Sequence, residues 1–273
     1  YSGQKIKTEI ISQSEKDLRI NLFIKYWGKE DKLIKLSSDD FNLRSKENNT
    51  IEWVVPDTFA NPIGQIGISI NSDDNVSGKI LINYLNISGT PKMTFRRPDH
   101  IDEYKRGIFY KEEVYGQLWK RAWVNDVDKW QYRHNESFKV VRGIGRGHIM
   151  TGSETWKDYT ISSKISIPLA SAAGLIVRSQ GLKRYYSLEL TSENKLKINK
   201  MEYELKTLNE IDFNLEYFKD YDLKFKVDGN KLQGYVDNQL LIEAEDSSNP
   251  FEEGMMGFLT ENGASQSNSI SIE

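Results

Sequence analysis

Residues 173–199, with the sequence AGLIVRSQGLKRYYSLELTSENKLKIN, decide the fold class. Apolar and polar side chains alternate through this stretch, which is typical of β-strands with one buried face. Pairing Val177 with Tyr186 across the polar loop 179–184 gives the first hairpin. The same register places Leu175 opposite Leu188. A slip of one residue would set these apolar side chains against polar ones, so we predict antiparallel pairing in this register.

Two further hairpins extend the prediction. A turn at 191–195 pairs Leu190 with Leu196, and the same register places Leu188 opposite Ile198. Both hairpins around residue 188 therefore bury the same face. A third hairpin, between the apolar positions of 223–227 and 232–236, turns at Gly229-Asn230, a sequence that suits a primed turn.

The same two-residue period recurs in the first third of the chain, at 18–24, 66–70 and 79–87. No segment longer than about ten residues has helical periodicity. At 273 residues the chain is near the size at which one core divides into two. We therefore predict an all-β protein of two consecutive antiparallel β-sandwich (jelly-roll) domains, 1–98 and 118–273. The polar segment 99–117 after Pro98 is predicted to connect them and to include a short helix.

The composition excludes several classes of binding partner and chemistry. The chain has 37 basic and 40 acidic residues, well mixed, for a net charge of −3, so it has no field that would attract nucleic acid. It has no apolar run of membrane-spanning length. It contains no cysteine, which rules out disulfides and thiolate chemistry but leaves the compartment open. Because it starts at Tyr1 and ends just after a strand-like run, we expect it to be part of a longer protein.

No segment of the sequence matches a known catalytic motif closely. The three histidines, His100, His134 and His148, lack the spacing of a metal site. The glycine-rich run 143–147 lacks the ending of a phosphate loop, so a bend or bulge is favoured. Glu243, with Glu245 or Asp246, is the best acid–base pair for a sandwich glycosidase, although a solvated strand end is the favoured explanation of these residues.

Two acidic clusters offer oxygen ligands for a structural calcium ion, the only cofactor that the residues suggest. One contains Asp39 and Asp40, and the other, in the turn 71–75, contains Asp73 and Asp74. Neither has EF-hand spacing, and ordinary turn formation explains both.

The predicted hairpins place polar side chains together on the face away from the core. Arg178 falls beside Tyr185, and Glu189 falls beside Lys197. With Trp156 as a further stacking residue, this set is the candidate ligand-binding site, because sugars stack on aromatic rings and bond to charged groups. The alternative is a solvated face held by cross-strand ion pairs.

Several segments resemble a known family: SGTP (88–91), FRRP (95–98), WKRAWV (119–124), TGSETWKDY (151–159) and AGLIVRSQGLKRYYSL (173–188). Together they are similar to the carboxy-terminal region appended to some bacterial ADP-ribosylglycohydrolase-family proteins, over about residues 18–273. The resemblance implies a galactose-binding-like jelly roll at 1–98 and a laminin-G-like or concanavalin-like sandwich at 118–273. That family's catalytic domain is helical and binds two Mg²⁺ ions through acidic motifs that this chain lacks, so the resemblance brings no hydrolase activity.

Three functions follow as hypotheses. The first is a non-catalytic module that binds a glycan or a ribose-containing group and is appended to an ADP-ribosylglycohydrolase-type or other glycan-processing enzyme. Arg178 and Glu189 would bond to hydroxyls, and Tyr185 with Trp156 would stack. The second is a structural domain that docks on another domain or subunit. The third is a glycosidase that uses the carboxylates at 243–246.

Overall fold

The computed structural model describes residues 1–71, 75–98, 118–133 and 136–273. The chain divides into two compact units, the first holding Tyr1–Met93 with residues 118–119, and the second holding 94–98 and most of 120–273. Among the described residues, helix is confined to a 3-10 turn at Lys29–Asp31 and to α1 (Leu118–Arg121). The predicted all-β class is confirmed. The predicted connector, 99–117, lies outside the described residues.

The first unit is a small sandwich of two antiparallel sheets. Its strands are β1 (Lys5–Ser12), β2 (Leu18–Trp27), β3 (Leu33–Ser37), β4 (Phe41–Leu43), β5 (Asn48–Val54), β6 (Ile63–Asn71) and β7 (Ile80–Ser88). One sheet has the order β5-β1-β7. In the other, β2 is central and pairs with β6, β3 and β4.

The core of the first unit lies between these sheets. Ile6 and Ile10 from β1 join Leu18, Ile20, Leu22 and Ile24 from β2 in one buried cluster. The predicted alternation of β2 is therefore confirmed. In β6, Ile66 and Ile68 pack against this cluster, whereas Ile70 at the strand end is 55% exposed.

The second unit is larger. Its strands are β8 (Met93–Phe95), β9 (Val124–Asn125), β10 (Lys129–Arg133), β11 (Glu136–Thr151), β12 (Tyr159–Leu169), β13 (Ala172–Ser179), β14 (Arg184–Thr191), β15 (Lys195–Glu202), β16 (Glu204–Asp212), β17 (Asp220–Asp228), β18 (Lys231–Val236), β19 (Gln239–Glu245), β20 (Met255–Ser267) and β21 (Ile270–Ile272).

Two long strands, β11 and β20, contribute to both sheets of this sandwich. Residues 255–261 of β20 pair with β13, and residues 264–267 pair with β12. β11 follows β20 along both parts, with a register shift between Arg142 and Arg146. Sheet I therefore has the order β16-β15-β14-β13-β20-β11, and sheet II has the order β19-β18-β17-β12-β20-β11.

The predicted hairpin registers are confirmed. Val177 pairs with Tyr186 and Leu175 with Leu188. Leu188 also pairs with Ile198, and Leu190 pairs with Leu196. The third hairpin turns at 229–230, where Gly229 has a φ of 56°. A methyl group added at Gly234 of sheet II would lie 2.5 Å from Leu188 Cδ1. The apolar row of sheet I that contains Leu175, Leu188 and Ile198 therefore faces sheet II.

Candidate functional site in the second unit

The outer side of sheet I, opposite Leu188, combines a buried apolar cluster (Ala172, Ile176, Tyr185, Met201 and Leu259) with a group of polar side chains. Because side chains alternate across a strand, the neighbours of Leu188 and Leu190 point away from the core. We use the name outer polar face for the set Arg146, His148, Tyr185, Glu189, Lys197 and Glu261, which β11, β14, β15 and β20 supply.

Arg146 lies at the centre of this face between two carboxylates. Its guanidinium donates two hydrogen bonds to Glu189, 2.7 Å to Oε1 and 3.0 Å to Oε2. Nη2 also lies 2.9 Å from Glu261 Oε2. The Arg146 side chain is 17% exposed and that of Glu261 is 25% exposed, whereas that of Glu189 is only 1% exposed. The paired guanidinium therefore reaches solvent above a buried carboxylate.

The electrostatics keep this pair ionised. Burial alone would raise the pKa of Glu189, but the Arg146 guanidinium more than offsets it, and the pKa is lowered. Burial would lower the pKa of Arg146, and Glu189 reverses that effect too, so this pKa is raised. Ser187 Oγ and Asn199 add hydrogen bonds to Glu189. The Glu189 carboxylate is thus held in one position.

Tyr185 and His148 form a second buried pair beside Arg146. The Tyr185 hydroxyl lies 3.0 Å from His148 Nε2, and the two rings meet edge to face at 4.9 Å. Nδ1 of the same imidazole is 3.4 Å from Asp126 Oδ1. Burial raises the pKa of Tyr185 to about 12, so its hydroxyl stays protonated at neutral pH.

Lys197 lies on the rim of the face. It pairs with Glu189 in the strand register, as predicted. Its ammonium group instead contacts Glu193 Oε2 at 3.0 Å and Glu210 Oε2 at 3.5 Å. The side chain is 20% exposed, so Lys197 reaches solvent as Arg146 and Glu261 do.

Arg178 does not join the other predicted site residues. It has a φ of 48°, in the left-handed region, which ends the alternation of β13. Its guanidinium instead donates to the backbone carbonyls of Lys157, Gly229 and Phe251 and to Asp158 Oδ1.

Trp156 is also separate from the outer polar face and is 2% exposed. Its ring meets Tyr159 edge to face at 6.2 Å and covers Gly152, where a methyl group would lie 2.4 Å from Cζ3. Tyr185 has no exposed surface either. Neither ring therefore offers a free face for the stacking that we expected.

The polar groups that sequence analysis missed are Arg146, His148 and Glu261. The glycines at 143–147 favoured a bend there, and the chain does shift register between Arg142 and Arg146. The strand then resumes, however, with Arg146 opposite Glu261 and His148 opposite Leu259. The alternation of Arg146, His148 and Met150 was the available signal.

The carboxylates at 243–246 all accept hydrogen bonds within the sheet or at its end. Glu243 accepts a hydrogen bond from Gln233 at 2.7 Å, and Glu245 accepts one from Asn230 at 2.9 Å. Asp246 is buried, and although burial raises its pKa, hydrogen bonds, first from Lys200, lower it overall. A general acid in this chemistry needs a raised pKa instead.

Asp73 and Asp74 lie outside the described residues, so a calcium site there stays a prediction. In the other cluster, Asp40 accepts hydrogen bonds from the amides of Asn21 and Asn71. Across the described ranges no three carboxylate or imidazole side chains are grouped to hold a metal ion. Within those ranges there is also no helix with the length and apolar character to cross a bilayer.

No protein-family model and no curated protein match this chain. Solved structures do match. The carbohydrate-binding module CBM66 from Bacillus subtilis is 22% identical, with a TM-score of 0.51, over 56% of this chain and 95% of that one. A Bacillus subtilis protein of unknown function with a galectin-like fold is 9% identical, with a TM-score of 0.48, over 57% and 91%. The galectin LEC-6 of Caenorhabditis elegans is 9% identical, with a TM-score of 0.38, over 56% and 96%.

These likenesses concern the fold. The first unit is too short to contain a match of this extent, so the similarity to the carbohydrate-binding module includes the second unit. The second unit thus has a sandwich fold like that of a carbohydrate-binding module. The outer polar face lies on sheet I of this sandwich.

Proposed function

We propose that this chain is a non-catalytic carbohydrate-binding module whose second unit holds a glycan on the outer polar face. Arg146, Glu261 and Lys197 would bond to sugar hydroxyls. Glu189 and Tyr185 would hold Arg146 and His148 in place from below. The observation that supports this most is the Arg146 guanidinium, fixed between two carboxylates and still open to solvent.

The chemistry of this cluster suits a sugar. A hydroxyl group both donates and accepts hydrogen bonds, so it can bridge a guanidinium and a carboxylate. Charge-assisted bonds of this kind are stronger than neutral ones. Because Glu189 already fixes Arg146, little side-chain entropy remains to be lost when a ligand binds.

The proposal is tested by glycan-array screening of the intact chain, followed by calorimetric titration of the glycans that bind. Removing Arg146 would leave Glu189 buried without its partner, so Glu261→Gln is the cleaner variant. We expect it to weaken binding about tenfold or more. Arg184→Gln removes a charge from the same sheet, away from the outer polar face, and should bind like the original chain. Equal affinities for all three proteins would refute the assignment of the site.

We also propose that the module is attached to a glycan-processing enzyme, as its resemblance to the appended region of ADP-ribosylglycohydrolase-family proteins suggests. On this view a ribose-containing group is a second class of ligand. Titration with ADP-ribose, run beside a neutral oligosaccharide from the array, separates the two classes. A response to the oligosaccharide alone would remove the ribose-containing ligand from the proposal.

A docking role for the first unit is the second candidate. The edge strand β7 exposes five large apolar side chains, each between 38% and 53% exposed: Leu81, Ile82, Tyr84, Leu85 and Ile87. Exposed apolar patches commonly mark contacts with other proteins. A double variant, Ile82→Lys/Leu85→Lys, should then weaken association with the rest of the parent protein in pull-down experiments and leave glycan binding unchanged. Unchanged association would count against docking through β7.

A further inference from the structure

A small pocket lies among loops of the second unit and shares no residue with the outer polar face. It has a volume of about 270 Å³ and lies where residues 157–158, 229–230 and 250–252 converge. Ligand sites usually measure roughly 300–1,000 Å³, so this one has room for a single small ring. Loops on a rigid sandwich are common positions for binding residues.

Arg178 builds this pocket from beneath. Its side chain is buried, and its guanidinium bonds to a backbone carbonyl on each of the three loops, at Lys157, Gly229 and Phe251. Asp158 Oδ1 accepts from both Arg178 Nη2, at 2.7 Å, and the Gly229 amide, at 2.8 Å. The left-handed backbone of Arg178 directs the side chain to this position. Backbone strain of this kind is often found at binding sites.

The pocket surface combines hydrogen-bond acceptors with one apolar wall. Asp158 keeps 57% of its side chain exposed although it is anchored by Arg178. Glu252 is exposed and forms no hydrogen bond or ion pair with the residues that the structure describes. Pro250 lines the pocket beside them with an apolar ring, and Asn230 adds an amide.

We propose that this pocket binds one neutral sugar residue through a pair of adjacent hydroxyls. The carboxylates of Asp158 and Glu252 accept hydrogen bonds from the hydroxyls, and the C–H face of the ring packs on Pro250. The inference rests on the proposed function in taking a sugar as the ligand, but it uses none of the residues of the outer polar face. The chain would therefore hold a glycan at two separate points, which raises its avidity for chains that span both.

Amide NMR spectra of the full chain test this pocket directly. Galactose, glucose, fructose and ribose are titrated up to about 100 mM, far above the ~1 mM Kd of a weak single-sugar site. At least one sugar should shift the Gly229 and Asn230 amides along a saturable curve. Glu252→Ala should weaken that response about tenfold, whereas Glu253→Ala, at the neighbouring position outside the pocket, should not.

The outcomes separate this pocket from the outer polar face. Glu261→Gln should leave the Gly229 and Asn230 shifts intact, even where it abolishes glycan binding on the outer polar face. If no sugar shifts these two amides, or if Glu252→Ala shifts them as the original chain does, the pocket proposal is wrong, whatever happens on the outer polar face. Shifts on addition of CaCl₂ but of no sugar would also overturn it.

Discussion

Arg178→Met should destabilise the second unit strongly, because Arg178 is part of its internal framework. The residue is 1% exposed and joins three loops through three backbone carbonyls and the Asp158 carboxylate. Methionine keeps most of the side-chain volume but donates no hydrogen bond. The variant therefore isolates the loss of the guanidinium.

The magnitude follows from the partners that are lost. Each hydrogen bond from a charged group is worth about 1.5–3 kcal/mol. In the variant, water can hydrogen-bond to the carbonyls of Lys157 and Gly229, because both residues are exposed. Water replaces much less of the lost hydrogen bond at the carbonyl of Phe251, which is buried. Asp158 is 57% exposed and returns to water, so the loss comes mainly from the carbonyls. We therefore expect the unfolding free energy to fall by about 3–5 kcal/mol, from the four hydrogen bonds less the part that water replaces.

Native-state hydrogen exchange of the buried amides of β13 and β14 measures this loss in the second unit alone. The matched control is Arg184→Met, on the adjacent strand. Arg184 is 32% exposed and pairs with the equally exposed Glu202, so its replacement should cost less than about 1 kcal/mol. If Arg178→Met cost no more than this control, the guanidinium would not be holding the loops, and the argument for a preformed pocket would fail.

Three further predictions concern the core of the second unit. Burial raises the pKa of Asp246, but hydrogen bonds from Lys200 and the other donors outweigh burial, so this pKa is lowered overall. The Asp246 carboxylate therefore stabilises the fold above its unfolded pKa of about 3.9, and this contribution is lost as the pH falls through its folded pKa. Asp246→Asn should therefore lower the unfolding free energy at pH 7 and flatten its decline in acid, as denaturant titrations between pH 7 and pH 2 would show. Tyr186→Phe removes a hydroxyl that donates to Asp246 at 2.6 Å and accepts from a backbone amide, and should cost about 1–3 kcal/mol in the same titration at pH 7. Gly234→Ala places a methyl group 2.5 Å from Leu188 Cδ1, so it should lower the unfolding free energy by about 1–3 kcal/mol, as measured by thermal unfolding. An unchanged melting temperature would show instead that sheet II can move away from Leu188.

Strand pairing near the hairpins was predictable from local sequence. Leu175, Leu188 and Ile198 lie in one buried row, as the alternation predicted, because a shift of one residue would have exposed the whole row. The pairing of Glu189 with Lys197 followed from the same register. In the first unit, the burial of alternate residues along β2 was equally clear from its pattern.

The candidate site was only partly predictable. Tyr185, Glu189 and Lys197 do lie on one face, but Arg178 leaves it, because a left-handed backbone at one residue redirects the side chain. The alternation of a strand cannot anticipate such a residue, since the conformation is uncommon outside glycine. Arg178 instead meets Phe251, which is 73 residues further along the chain.

The sequence by itself determined the all-β class, the hairpin registers and the buried rows next to those hairpins, since these depend on neighbouring residues and the two-residue period of a strand. Only the tertiary structure decided which strands from distant parts of the chain are adjacent. The meeting of Arg146 with Glu189 and Glu261 depends on β20 lying between β11 and β13. That strand order results from the packing of whole sheets, and no local pattern of side chains encodes it.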